Sequence, residues 1–143
     1  MDLERFVIAQ ENVFDLALKE IRLGRKTGHW MWFMFPQIAG LGSTGTSRHF
    51  AIQDIQEAMD FLTHPLLGPR LVKACQALLE LEANDAHALF GSPDDLKLRS
   101  SMTLFDAVPA TFPVFGRVLD KFYEGRKDSK TLDILARQKQ AHR

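Results

Sequence analysis

Apolar residues recur at spacings of three and four along most of this chain, the period of helices that each bury one face. Between residues 3 and 23, Leu3, Phe6, Val7, Val13, Phe14, Ala17, Leu18 and Ile21 predict one long amphipathic helix, started by Asp2 and stopped at Gly24. Asp54 with Glu57 gives a capping-box-like start for a helix over 55–63, which Pro65 ends. Gly68-Pro69 opens another, running to about Glu82 on the stripe Leu71, Val72, Cys75, Leu78, Leu79 and Leu81. Asp85 caps a short turn that ends at Gly91. In Ser92-Pro93-Asp94-Asp95 a capping hydroxyl, a first-position proline and two carboxylates predict a helix to about Ala107. Residues 113–123 make the next helix, stopped by Gly125, and Asp128 caps a last one from Ser129 to about Gln138, with the tail QAHR frayed. The fold class expected is all-α: a single domain over residues 1–143, an irregular bundle of about six or seven short helices packed on the first.

Residues 24–45 break the pattern. They hold five glycines and a proline without a sustained helical period, which predicts a long glycine- and aromatic-rich loop with one short extended or turn-like piece at 30–35. A loop of that length inside a small domain is uncommon and often functional. Within it, His29–Gln37 (HWMWFMFPQ) packs two Trp, two Phe and two Met into nine residues. The expectation is an extended core plug, its rings filling the gap between short helices.

Charge alters this picture locally rather than globally. Eighteen acids balance eighteen bases, so no overall field draws the chain to nucleic acid, and no nucleic-acid partner is expected. Yet no acid occurs between Glu20 and Asp54, where Arg22, Arg25, Lys26 and Arg48 stand with His29 and His49. The aromatic loop therefore sits in a locally positive stretch. Residues 117–143 hold 4 acids and 8 bases, a modestly basic end. No apolar run approaches the roughly 20 residues of a membrane helix, and MDLERFVIAQ lacks the basic start and apolar block of a secretory signal. No membrane association and a cytoplasmic location are expected. The lone Cys75 lies in an apolar pattern and reads as an inert core thiol, and the histidines lack metal-ligand spacing, so no metal is expected.

Candidate chemistry gathers in two places. Gly40-Leu41-Gly42-Ser43-Thr44-Gly45 is a literal G-x-G-x-x-G, but the βαβ frame of a dinucleotide fold is missing, and no Lys-Ser/Thr follows to make a phosphate loop of the nucleotide-hydrolase type. What remains is a glycine turn that either closes packed elements or aims N–H groups at an anion, helped by a helix starting near Thr46. Lys26, His29 and Gln37 flank it; capping, a core histidine and a loop clasp are their structural readings. The second place is the helix from 93, where Asp94, Lys97 and Ser101 share a face and Ser100 and Thr103 adjoin it. Three hydroxyls in SSMT are poor helix formers, so close packing or ligand binding keeps them there. Gln10 interrupts the apolar face of the first helix, where a buried amide needs partners. No Ser-His-Asp order or paired catalytic carboxylates are found, so no catalytic residue and no cofactor is assigned.

GRKTGHWMWFMFPQIAGLG, HPLLGPRL, FGSPDDLKLRSSMTLF and GRKDSKTLDIL together resemble the bacterial family named domain of unknown function 1810, over almost the entire chain. The resemblance implies a small, mainly helical protein without an assigned activity. Some members carry the automatic label calpastatin, which describes disordered inhibitor repeats and does not suit this patterned chain.

The site expected from the residues is a pocket at the 24–45 loop for binding, or binding and turnover, of a small anionic or phosphorylated, nucleotide-like metabolite. Lys26, His29, Gln37, Gly40 and Gly42 would form one wall; Lys97, Ser100, Ser101 and Thr103 would face them, with both lysines solvated in the empty protein. The alternative is a protein-interaction module using exposed aromatics and the basic end.

Overall fold

In the computed structural model, residues 2–42 and 44–141 are described, and they form ten helices with no strand among them. Ser43 of the glycine turn and His142 and Arg143 of the expected frayed tail lie outside the described residues. In order these are α1 (Glu4–Gln10), α2 (Phe14–Leu23), α3 (Met31–Met34), α4 (Gly45–His49) and α5 (Ile55–Thr63), then α6 (Leu67–Glu80), α7 (Ala86–Phe90), α8 (Asp94–Asp106), α9 (Val114–Tyr123) and α10 (Ser129–Ala141). The number exceeds the six or seven expected because short turns split what looked continuous. Buried apolar residues from all but α4 and α10 form one cluster, from Phe6 to Leu119.

The first predicted helix is two. Glu11 and Val13 fall back on carbonyls three residues earlier, Ile8 and Gln10, and Val13 leaves helical geometry at φ −121°. The break re-aims the apolar stripe: α1 packs on α3 while α2 packs on α6. Gln10, at the end of α1 and 2% exposed, satisfies its amide by donating to the Phe33 carbonyl at 2.8 Å and accepting from Arg70 at 3.4 Å. Gly24 ends α2 as foreseen, at φ +77°.

The long loop is also not what the glycines suggested. Its middle is the helical turn α3, in place of an extended plug, with Met34 and Phe35 N–H groups bonded to the Trp30 and Met31 carbonyls. Trp30, Met31, Met34 and Phe35 are buried, while Trp32 and Phe33 are partly exposed. Buried positions at i, i+1, i+4 and i+5 are helical spacing, so the plug role holds in a helical rather than extended form.

Capping residues were mostly readable. Asp54 accepts from Glu57 N–H at 2.9 Å, Asp85 from Ala88 N–H at 3.1 Å, and Asp128 from Thr131 N–H at 3.0 Å. Ser92 is the exception. Here α8 begins at Asp94, with Pro93 as its cap residue and no side-chain cap bond. The helix start instead closes through Asp95 N–H on the Gly91 carbonyl, and Asp94 turns to two lysines. No helix among the described residues is long and apolar enough to cross a membrane.

Candidate functional site

A parallel bridge between Ile38 and Ile52 shapes the site. Ala39 N–H donates to the Ile52 carbonyl and Ile52 N–H to that of Gln37, each at 2.8 Å, which pins the base of the intervening segment. That segment must then turn within a few residues, which is what the glycines permit. Gly40 has φ +105°, and at Gly42 an added Cβ would stand 2.8 Å from Ser47 Cβ and Oγ. The return stroke is α4, capped by Thr44, whose Oγ1 accepts from Ser47 N–H. α4 is only five residues long, so it contributes a weak dipole at this end.

The pinned segment encloses a cleft of about 210 Å³. Trp32, Gln37, Gly40, Gly42, Arg48 and Gln53 supply its distinctive lining, with Ile38, Leu41 and Phe50 as apolar wall. No carboxylate lines it among the described residues. Arg48 is exposed and pairs with no described acid, and the Gln37 side-chain amide bonds to no described residue. A cation, two amides and an indole thus converge on one small space.

Behind Trp32 lies a charged triad. Asp94 accepts from Lys26 at 2.8 Å and from Lys97 at 3.0 Å, and Lys97 Nζ lies 3.8 Å from the centroid of the Trp32 ring. Neither lysine is solvated as expected: the side chains are 8% and 18% exposed. Partial burial alone would raise the Asp94 carboxyl, but the hydrogen bonds and charges of the two lysines outweigh it and hold its pKa below the ordinary value. A few residues away, Glu20 anchors the loop entry. It accepts from the N–H groups of Thr27 at 2.7 Å and Gly28 at 2.9 Å and from the Trp30 indole at 3.0 Å. Burial would raise its pKa too, and these donors reverse the direction.

Of the residues expected at the site, the structure brings Gln37, Gly40 and Gly42 together in the cleft, with Lys97 one ring away and Lys26 joined to it through Asp94. His29 is exposed and is neither a core histidine nor part of the lining. Ser100, Ser101 and Thr103 are buried and do not line the cleft. Ser100 and Thr103 donate to carbonyls four residues back, Leu96 and Arg99, and Thr103 also accepts from Asp128 N–H at 2.9 Å. The Thr103 hydroxyl thereby docks the start of α10, a structural reason for a poor helix former at that position. Ser101 Oγ bonds to no described residue.

Sequence reading missed Arg48 and Gln53 as lining and assigned Trp32 to the core. The signal available was the pair of isoleucines flanking the glycine turn, since β-branched residues favour strand pairing, and Arg48 as the one Lys or Arg between them. A larger groove of about 740 Å³ lies along Leu135, Gln138 and Lys139 of α10. Asp54, Gln56 and Gln138 in it are already committed to Glu57, Asp60 and the Gln53 carbonyl.

The family model described as "Protein of unknown function (DUF1810)" matches residues 1–135, and the chain belongs to that family. A conserved hypothetical protein from Mycobacterium tuberculosis, Rv1873, known from its crystal structure, is 44% identical and superposes with a TM-score of 0.92. The similarity covers 94% of this chain and 96% of that one. Comparison with curated proteins finds no match.

Proposed function

We propose that this member of the DUF1810 family binds a small phosphorylated, nucleotide-like metabolite in the cleft enclosed by the Ile38–Ile52 segment. The observation that carries this reading is the convergence of Arg48, which pairs with no described acid, the Gln37 and Gln53 amides and the Trp32 indole on a space that no described carboxylate lines. An unpaired guanidinium suits a phosphate, with which it forms charge-assisted and often bidentate bonds. An indole offers a planar ring a stacking surface, and the amides offer its edge donors and acceptors. At about 210 Å³ the cleft lies below the roughly 300–1,000 Å³ of drug-sized sites, which favours a mononucleotide-sized ligand left partly in solvent.

Tryptophan fluorescence tests the reading directly, because the chain has two tryptophans and Trp30 is only 1% exposed. Titration with the four common ribonucleoside monophosphates should change emission saturably for at least one, more weakly at high salt. Arg48→Ala should reduce affinity, and Trp32→Phe should remove the optical response. If no monophosphate at millimolar concentration alters either emission or melting temperature, the reading fails.

A second reading, an interaction module, has different support. Leu16 and Leu23, seven residues apart on α2, are large apolar side chains left 53% and 72% exposed.

A further inference from the structure

Trp32 lines the cleft but Lys97 does not. The ammonium sits 3.8 Å from the centroid of a ring that lines the cleft, while Lys97 itself stays out of the lining. It is fixed there: Asp94 holds it at 3.0 Å and is itself held by Lys26 at 2.8 Å, with all three side chains less than a fifth exposed. Two ammonium groups against one carboxylate leave the triad with a net positive charge.

An aromatic face attracts a cation through the negative potential of its π-system. A cation already seated on one side draws on that potential and also repels a second positive charge approaching the other side. Arg48 adds a further cation to the same space, and no described carboxylate in the lining offsets either. The aromatic surface presented to the cleft is thus unlike an ammonium-binding cage, in which rings are free of internal cations. Resting on the reading above, we infer that Lys97, seated behind Trp32, makes the cleft select a phosphorylated ligand whose ring is uncharged and reject positively charged rings. Lys97 touches no ligand in this account. It acts through Trp32, as a specificity-determining positioning residue.

Guanosine monophosphate and its 7-methyl derivative form a matched pair of probes, because the methyl group places a positive charge on an otherwise equal ring. Affinities are read by fluorescence titration at mildly acidic pH, where the methylated ring keeps its charge. Wild-type protein should prefer the unmethylated nucleotide by roughly three- to thirty-fold, the range that cation–π energies imply. Lys97→Met should bring the ratio towards one, while Lys97→Arg, which keeps the charge, should preserve it. Asp94→Asn, which removes the carboxylate that holds the ammonium against the ring, should also bring the ratio towards one and serves as the second variant should Lys97→Met not fold. A steric effect of the methyl group would leave the ratio unchanged in Lys97→Met, and that result overturns the inference. Equal or tighter wild-type binding of the methylated nucleotide overturns it too, with the proposed function intact. Absence of binding by every monophosphate tested removes the proposed function and this inference with it.

Discussion

Two tryptophans separated by one residue have opposite surroundings. Trp30 is buried, its indole N–H donated to Glu20 and its ring packed against Phe35 and Phe90 at centroid distances of 6.2 Å. Trp32 is partly exposed, carries Lys97 on its ring and lines the cleft. The same helical turn thus sends one ring into the core and the next towards solvent, since neighbours at i and i+2 in a helix diverge by most of a half-turn. An aromatic cluster in a sequence is therefore not one unit. Its members divide by face, and the acid each meets differs in role: Glu20 satisfies backbone and indole donors, whereas Asp94 fixes two cations.

If this division is right, Trp30→Ala should be the costliest change, about 3–5 kcal/mol from lost burial and the cavity left behind, measured by urea unfolding followed by circular dichroism. A loss below 1 kcal/mol would place Trp30 outside the core. Glu20→Ala should follow at about 2–3 kcal/mol, because the Thr27, Gly28 and Trp30 N–H groups lose a charged acceptor. Trp32→Ala should cost only about 1 kcal/mol, mostly its contact with Lys97, while abolishing any nucleotide response. A large loss of stability there would erase the contrast between the rings.

Acid sharpens the comparison further. Both carboxyls have folded-state pKa values below their ordinary ones, so the stability each contributes is present above the ordinary carboxylate range and is lost as pH falls through the lowered values. The difference in melting temperature between wild-type protein and Asp94→Asn should therefore be full at neutral pH and shrink below about pH 4. A difference independent of pH would remove the charge from its cause. Ser92→Ala should have the smallest effect, under about 0.5 kcal/mol, since Ser92 is exposed and does not cap α8. A loss near the 1 kcal/mol of a true cap would restore the sequence-based start of that helix.

Much of the helical framework was legible because its signals are local. Asp54, Asp85 and Asp128 cap the helices they precede, and α5 spans the residues that the Asp54–Glu57 pair and Pro65 predicted. The break between α1 and α2 was not legible, because the stripe on either side keeps helical period and only the separate partners, α3 and α6, require the change of direction. In the candidate site, Gln37, Gly40 and Gly42 stood close in sequence and were found together. Arg48 and Gln53 were missed because they join only once Ile38 meets Ile52.

The sequence by itself determined that this chain is helical and where most helices start and stop. Period, capping oxygens and glycine conformational freedom act within a few residues of where they are written. Only the tertiary structure decided which ring is core and which is wall, that Asp94 serves two lysines rather than a helix end, and that Arg48 meets no acid among the described residues. Those outcomes depend on segments distant in sequence meeting in space, where burial and charge pairing are set by neighbours that no local pattern names.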